Sequence, residues 1–406
     1  MISVIVNAYA CCPGMGSEPG MAWNWCVNLA KFAQLHIITE GEFRDKIEAA
    51  LRDLPHGSNM KFYYNPVSDN IREMCWNQGD WRFYRHYKKW QLDAYKIAIN
   101  ICNDNDIKIL HQLNMIGFRE PGYLWKIESI PFVWGPVDAK AGFPVEYLSG
   151  ASLGDKVKVY LKNFLTKIQL KYSQRVHKAG DRASAILAAS SNSYESLQAL
   201  FPGKVTLLNE TGCYPNNFLE KNTENKQLEL LWVGKLDFRK QLNLAIQALA
   251  ECRNKNVRLH IVGGGDGSKY MRLSKDLNLT DQCIWHGAIP HANVQKIMRE
   301  SDMLFFTSVA EGTPHVVLEA IGNGLPVLCF DTCGQGDVVN ERVGFKVKLG
   351  KIGDSVRKFS MILREVESNR HLLKALSINC YERQKELSWD NKAKVVANLY
   401  NECISR

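Results

Sequence analysis

Two glutamates with seven residues between them, Glu311 and Glu319, sit in the run Ser308-Val-Ala-Glu311-Gly312-Thr313-Pro314-His315-Val316-Val-Leu-Glu319-Ala-Ile-Gly-Asn-Gly-Leu-Pro. The apolar residues 303–307 before it read as a strand and the spacing after it as a helix, so Glu311 precedes the helix and Glu319 lies about two turns inside it. The first N–H groups of a helix lack intrahelical acceptors and so favour an anion, while carboxylates beside them accept from hydroxyls. A ligand with a diphosphate between two polyols, such as a sugar nucleotide, fits that layout. Taken singly, Glu319 reads equally well as an ordinary helical glutamate and Glu311 as a capping residue.

Two other strand ends carry compatible chemistry. Residues 230–233 run into Gly-Lys235-Leu-Asp-Phe-Arg239-Lys240, where three cations cluster at the carboxyl end of a strand and can neutralise a diphosphate or simply be solvated. Residues 259–262 run into Gly263-Gly264-Gly-Asp-Gly, where backbone without Cβ can approach a ligand closely or merely turn.

These loops need parallel sheets to hold them. Short apolar runs at 2–6, 35–39, 107–110, 132–134 and 185–189 alternate with longer helical patterns, and the pattern restarts after Pro215 with 229–233, 258–262, 303–306 and 326–330. A chain of 406 residues exceeds one ordinary core. The reading is an α/β protein with an N-terminal Rossmann-like domain at 1–214 and a C-terminal one at 215–388, joined through the polar stretch 209–227. The helical pattern at 389–406, apolar at Ala393, Val396, Ala397 and Tyr400, is expected to pack back on the N-terminal domain.

With those elements in order, the second half resembles the retaining GT-B glycosyltransferases of family 4, the glycosyl transferases group 1. The likeness rests on Glu-Gly-Thr-Pro-His-Val-Val-Leu-Glu, on Val233-Gly-Lys235 with Arg239 and Lys240, on Val262-Gly-Gly264-Gly-Asp-Gly, on His286-Gly and on Ser308. The resemblance implies a GT-B fold, two Rossmann-like domains facing each other across a cleft. It implies that Glu311 contacts the transferred sugar, that Glu319 takes the ribose hydroxyls and that Lys240 holds the diphosphate. Residues 312–316 (Gly312, Thr313, Pro314, His315, Val316) would present backbone N–H groups to the phosphates, and Ile289 would lie by the base. Lys235 stands where the family usually has arginine, which forgoes bidentate phosphate binding there.

The first half carries Gly14-Met-Gly16-Ser-Glu-Pro-Gly after its first strand. This loop loosely matches a dinucleotide fingerprint, with Glu40 downstream but Pro19 intruding, and it resembles the loop that in the glycosyltransferase family faces donor phosphates and acceptor. His111 is expected at the carboxyl end of its strand, where the family often has a histidine contacting the sugar; a structural histidine is the alternative. The turn Trp134-Gly-Pro-Val-Asp138-Ala-Lys140 receives no role. Asp104-Asn-Asp106 spells a metal-binding pattern at the wrong end of its strand, so neither metal nor cofactor is expected.

Composition sets the remaining bounds. Hydrophobic residues at 46% and charged residues at 23% suit a folded globular protein. Twelve cysteines without zinc-like spacing read as reduced thiols of the cytoplasm. No basic leader precedes the first strand, and no apolar run reaches the roughly eighteen residues of a membrane span. The net charge of +9 admits an anionic membrane or a phosphorylated substrate, and no nucleic-acid motif accompanies it.

Two basic and apolar segments stand out, 76–90 and 157–176, the second with Leu161, Phe164, Leu165, Ile168 and Tyr172 on one helical stripe. Each can pack on its own domain or lie peripherally on anionic lipid. The expected activity is a metal-independent, retaining transfer of a sugar from a nucleoside-diphosphate sugar, UDP first and GDP-mannose as competitor. The acceptor is a glycan or lipid-linked glycan of bacterial polysaccharide or lipopolysaccharide synthesis, and the site is the cytoplasm or the inner face of the cell membrane. The rivals are a Rossmann-type NAD-dependent oxidoreductase or epimerase using the Gly14 loop, and a non-catalytic binding module.

Overall fold

The computed structural model describes residues 1–77, 80–139, 142–217 and 227–406. Lys140 and most of the polar connection, 218–226, lie outside the described residues. The chain divides into two compact units, the first comprising Met1–Ala141, Thr166–Glu210 and Trp389–Arg406, the second Gly142–Leu165 and Thr211–Ser388.

The first unit is built on seven parallel strands: β1 (Ile2–Ala8), β2 (Ala33–Thr39), β3 (Met60–Tyr64), β4 (Ile107–Asn114), β5 (Phe132–Val137), β6 (Ala185–Ala188) and β7 (Val205–Leu207). Their spatial order is β3-β2-β1-β4-β5-β6-β7, so the direction of winding reverses between β1 and β4. Alternate side chains enter two cores: Val4, Val6, Leu35 and Ile37 on one face, Ile5, Ile38 and Leu110 on the other. A sheet buried on both faces explains why these strands read as continuous apolar runs.

The closing helix Trp389–Ser405 belongs to this unit. Trp389 meets Trp25 edge-to-face at 5.5 Å, and Lys392 donates to the Asn209 carbonyl at 2.9 Å.

The second unit has six parallel strands: β8 (Leu228–Val233), β9 (Val257–Val262), β10 (Cys283–Gly287), β11 (Met303–Phe306), β12 (Val327–Phe330) and β13 (Gly344–Val347). Their order is β10-β9-β8-β11-β12-β13, and here the winding reverses between β8 and β11. Leu230, Trp232 and Phe305 face one core while Leu231, Leu304 and Phe306 face the other.

The sequence pattern assigns all of 1–214 to the first domain, but 142–165 clusters with the second unit. Tyr147 explains this. Its buried ring packs on Phe330 at 5.3 Å and its hydroxyl bonds Ser355 at 2.8 Å, partners that only the second unit supplies.

The cysteines are all free, nine of them buried. Among the described residues no helix is long and apolar enough to cross a membrane.

Candidate functional site

In open parallel sheets ligands bind beyond the carboxyl ends of the strands where the strand order reverses. In the second unit that point lies between β8 and β11, and the two loops there are laced together. Residues 238–240 form a single turn after β8, and Gln241 follows with φ of 52°, its carboxamide donating to the carbonyls of Tyr147 at 2.7 Å and Phe238 at 2.6 Å. The Thr307 hydroxyl, just past β11, donates to the Lys240 carbonyl at 2.9 Å and accepts from the Trp232 indole at 3.0 Å. Val309 N–H donates to the Arg239 carbonyl at 3.2 Å.

This lacing brings Lys240 to Glu311. The ammonium is ion-paired with Glu311 Oε1, and Ser308 Oγ donates to the same oxygen at 2.5 Å. The pair is largely buried, with side chains 19% and 18% exposed. Lys240 also lies 5.5 Å from the centre of the Phe306 ring. A charge pair held this way can exchange partners with an anionic, hydroxyl-bearing ligand, which offers the lysine an anion and the carboxylate a donor.

Around the pair, the sequence-named residues take distinct positions. Helix His315–Gly322 opens after Pro314, with His315 exposed and Thr313 buried. Gly312 accepts from Gly334 N–H at 3.0 Å, and a Cβ on Gly334 would lie 2.5 Å from Thr313, so glycine there lets two loops touch. Gln335 Nε2 adds a bond to the Ser308 carbonyl at 3.0 Å.

Glu319 points to helix His291–Glu300, where His291 Nε2 lies 3.1 Å from Oε1 and Gln295 Nε2 donates to Oε2 at 3.1 Å. Gln295 in turn accepts from Asn323 at 2.7 Å. Ile289 and Val316, both half-buried, pack on one apolar cluster.

Arg239 turns to Asp237 at 2.7 Å, and Lys235 is exposed. Burial pushes the Asp237 carboxyl up, but the hydrogen bond and charge of Arg239 outweigh it and hold the carboxyl below its usual range. Gly264 is exposed and accepts from Leu236 N–H at 2.9 Å.

His291, Gln295, Gly334 and Gln335 are absent from the sequence reading. The four-residue spacing of His291 and Gln295 on a helix after the Gly287 turn is the one signal that could have exposed them.

In the first unit the reversal lies between β1 and β4. The loop Gly14–Ser17 is open at Gly14, whose φ is +70°, and at Gly16, since a Cβ at either would meet nothing within 4 Å. It leads to Glu18, whose Oε1 accepts from Ile116 N–H at 3.1 Å, while buried Oε2 has no hydrogen-bond partner among the described residues. Burial pushes the Glu18 carboxyl up to about 7 against that N–H, with Glu210 and Asp138 adding to the rise. Glu18 lines a cavity of about 190 Å³ with Tyr9, Glu40, Phe43, Arg72 and Trp76. Arg72 pairs with Glu40 at 2.9 Å, the Trp76 indole donates to Glu42 at 3.0 Å, and Phe43 meets Trp76 edge-to-face at 6.2 Å. Residue types gave no hint of this pocket, because its lining comes from five separate segments of the chain, two of them helical.

His111 requires correction. The apolar run 107–110 suggests a strand ending there, but β4 continues to Asn114, so His111 lies inside the sheet. Its Nε2–H donates to the Gly135 carbonyl at 2.6 Å and its Nδ1 accepts from the Tyr400 hydroxyl at 2.5 Å. Burial lowers its pKa to about 4, consistent with this neutral tautomer. Both nitrogens are occupied by protein, and the ring is a structural link to the closing helix.

Residues 215–379 match the family model described as Glycosyl transferases group 1. The lipopolysaccharide 1,6-galactosyltransferase of Escherichia coli (strain K12) is 29% identical over 126 residues, which cover 30% of this chain and 35% of that protein. Alignments with the curated relatives span less than half of those proteins' lengths.

Two solved structures align over almost the whole chain. One is the apo form of the lipopolysaccharide outer core galactosyltransferase WaaB, at TM-score 0.66 and 17% identity over 100% of this chain and 99% of the other. The second is Anabaena Alr3699/HepE in complex with UDP and glucose, at TM-score 0.60 and 14% identity over 99% and 100%. The chain therefore has the two-unit, parallel-sheet architecture of the GT-B glycosyltransferases, and its second unit carries the segment that matches glycosyl transferases group 1.

Proposed function

We infer that the protein transfers a sugar from a nucleoside-diphosphate sugar to an acceptor hydroxyl. The observation that carries this reading is the meeting of Lys240 with Glu311 and Ser308 at the β8/β11 reversal, beside the start of helix His315–Gly322. A diphosphate arriving there draws Lys240 to itself, and Glu311 is released to accept from the hydroxyls of the transferred sugar. Arg239 and Lys235 add positive charge at the rim, Gly264 offers bare backbone, and the N–H groups of Gly312, Thr313, His315 and Val316 face the phosphates. Ile289 and Val316 flank the base. Glu319, held by His291 and Gln295, takes the ribose hydroxyls.

The bond from the anomeric carbon to the departing phosphate oxygen breaks, and the acceptor oxygen attacks the same face, so configuration is retained. The acceptor proton leaves with the diphosphate. Lysine, arginine and the helix end stabilise the charge on that leaving group, which makes the reading metal-independent. The pocket at the β1/β4 reversal, lined by Ser17 and Glu18 just after the Gly14–Gly16 loop, receives the acceptor. UDP is the first base to test, GDP-mannose the competitor. The similarity to a lipopolysaccharide galactosyltransferase supports a glycan or lipid-linked acceptor in bacterial surface polysaccharide synthesis, reached in the cytoplasm at the inner face of the membrane. The oxidoreductase reading rests on a fingerprint that Pro19 interrupts and draws no support from the relatives.

The test incubates the full chain with UDP-galactose, UDP-glucose, UDP-N-acetylglucosamine and GDP-mannose and follows release of nucleoside diphosphate. One donor is expected to be hydrolysed slowly, and Glu311→Gln to abolish that release while circular dichroism stays unchanged. Near-normal turnover in Glu311→Gln overturns the site. Tight binding of a nicotinamide cofactor in calorimetry, with none of any nucleoside diphosphate, overturns the activity.

A further inference from the structure

Helix Leu153–Tyr172 has its apolar stripe on the wrong side for packing against its own protein. On a wheel of about 100° per residue, Leu153, Val157, Tyr160, Leu161, Phe164, Leu165, Ile168 and Tyr172 fill one arc about 140° wide. All eight are exposed, Leu153 at 80%, Phe164 at 59% and Tyr172 at 66%. Thr166, the helix's buried residue, lies roughly opposite the middle of that arc.

The same inner side makes the anchoring bonds. The Asn163 carboxamide clamps the backbone of Phe143, accepting from its N–H at 2.9 Å and donating to its carbonyl at 2.8 Å. Thr166 and Gln169 accept from Arg119 at 2.5 Å each. The inward side is thus tied by polar bonds and by half-buried Leu170, which packs on the first unit's core, while the outward side is apolar and bare.

Charge identifies what covers it. The helix carries five lysines and one acid, Asp155. Lys156 and Lys167 run along one margin of the apolar arc, Lys158 and Lys162 along the other, and Lys171 falls within the arc at its carboxyl end. An apolar face bordered on both sides by long cations matches the boundary of a lipid layer, where the apolar face enters the acyl region and the ammonium groups reach anionic headgroups. A protein partner would have to be apolar at its centre and acidic on both margins. The segment 81–90 shows what self-packing looks like: Phe83, Tyr87 and Trp90 are buried around Tyr9, with ring centres 4.9 to 5.8 Å away.

We propose that the outward face of helix Leu153–Tyr172 is a docking surface for an anionic lipid bilayer and lies in its interface without crossing it. The inference goes beyond the transfer chemistry and stands on the helix alone, so its failure and the failure of that chemistry are separable. The experiment is co-sedimentation of the full chain with vesicles of phosphatidylglycerol and phosphatidylcholine, compared with phosphatidylcholine alone, at low and high salt. Binding is expected to the anionic vesicles and to fall with salt. The pair Leu161→Ser with Phe164→Ser should weaken it by about a hundredfold. The pair Lys158→Glu with Lys162→Glu should weaken it by about tenfold or more.

Slow hydrolysis of soluble donor should persist in every variant, which reports an intact fold independently of lipid. Failure of the wild type to bind anionic vesicles overturns the proposal, as does equal binding to neutral ones. Sedimentation velocity supplies a further test: a wild-type dimer that the serine pair dissociates, with no vesicle binding, assigns the face to a second copy of the chain instead.

Discussion

The two strand-order reversals, one per unit, hold half-buried carboxylates with contrasting partners. At β8/β11 Glu311 faces an ammonium and a hydroxyl. At β1/β4 Glu18 has one backbone N–H and an oxygen with no partner among the described residues. The same topology therefore builds an ion-paired carboxylate in one unit and a proton-holding one in the other. Partners decide the difference, since burial alone disfavours a carboxylate and a nearby cation favours it. A donor that brings its own negative charge suits the first arrangement. A neutral hydroxyl suits the second.

The largest expected effect tests the paired site. Lys240→Ala removes the cation from both Glu311 and the leaving group, and turnover of the preferred donor should fall by about a hundredfold or more. Steady-state kinetics on the purified variant measures it, and a loss confined to KM would assign Lys240 to binding alone.

Next comes the backbone that brings the loops together. A Cβ on Gly263 would lie 1.8 Å from the Gly234 carbonyl oxygen, at a φ of +155°. Gly263→Ala should therefore cost about 2 to 3 kcal/mol in urea unfolding. Gly14→Ala, at φ of +70° but in open space, should cost only about 1 kcal/mol. Equal costs would contradict the picture of a tight second-unit loop and an open first-unit loop.

The second unit was legible because its chemistry is local in the chain. Glu311, Ser308 and the start of helix His315–Gly322 lie within a few residues of one another, and Lys240 follows its own strand directly, so strand ends plus residue types located the cluster. Most interior strands were equally legible, since burial on both faces writes them as apolar runs. β3, β7 and β13 were not, being edge strands with partly exposed residues, and β10 at the other edge mixes Trp285 and His286 with its apolar positions. The first-unit pocket was illegible for a different reason. Tyr9, Glu18, Glu40, Arg72 and Trp76 meet only after distant loops and helix ends converge, and no short spacing records that.

His111 shows how a boundary error becomes a functional one. Extending β4 by four residues moves the ring from a strand end into the sheet, where Tyr400 and Gly135 saturate it. Tyr400→Phe leaves Nδ1 buried without its donor and should cost about 1 to 3 kcal/mol of stability, with turnover per folded molecule unchanged. Thermal unfolding beside the donor-hydrolysis assay checks both halves. A stable but inactive variant would return His111 to the catalytic machinery.

The effect that most directly separates the two carboxylates is the pH dependence carried by Glu18. Its pKa rises on folding from near 4.5 to about 7 through burial. Between those values the folded chain keeps a proton that the unfolded chain has released. Stability contributed by this group is therefore full below about 4.5 and declines as pH rises toward 7. Glu18→Gln, which stays neutral at the same size, removes that decline. The measurement is the melting temperature of wild type and variant across this window. The curves should converge at the acid end and separate toward neutrality, with the glutamine variant the more stable. Parallel curves would mean that Glu18 already has a partner for its charge, and the contrast between the two reversals would then rest on Glu311 alone.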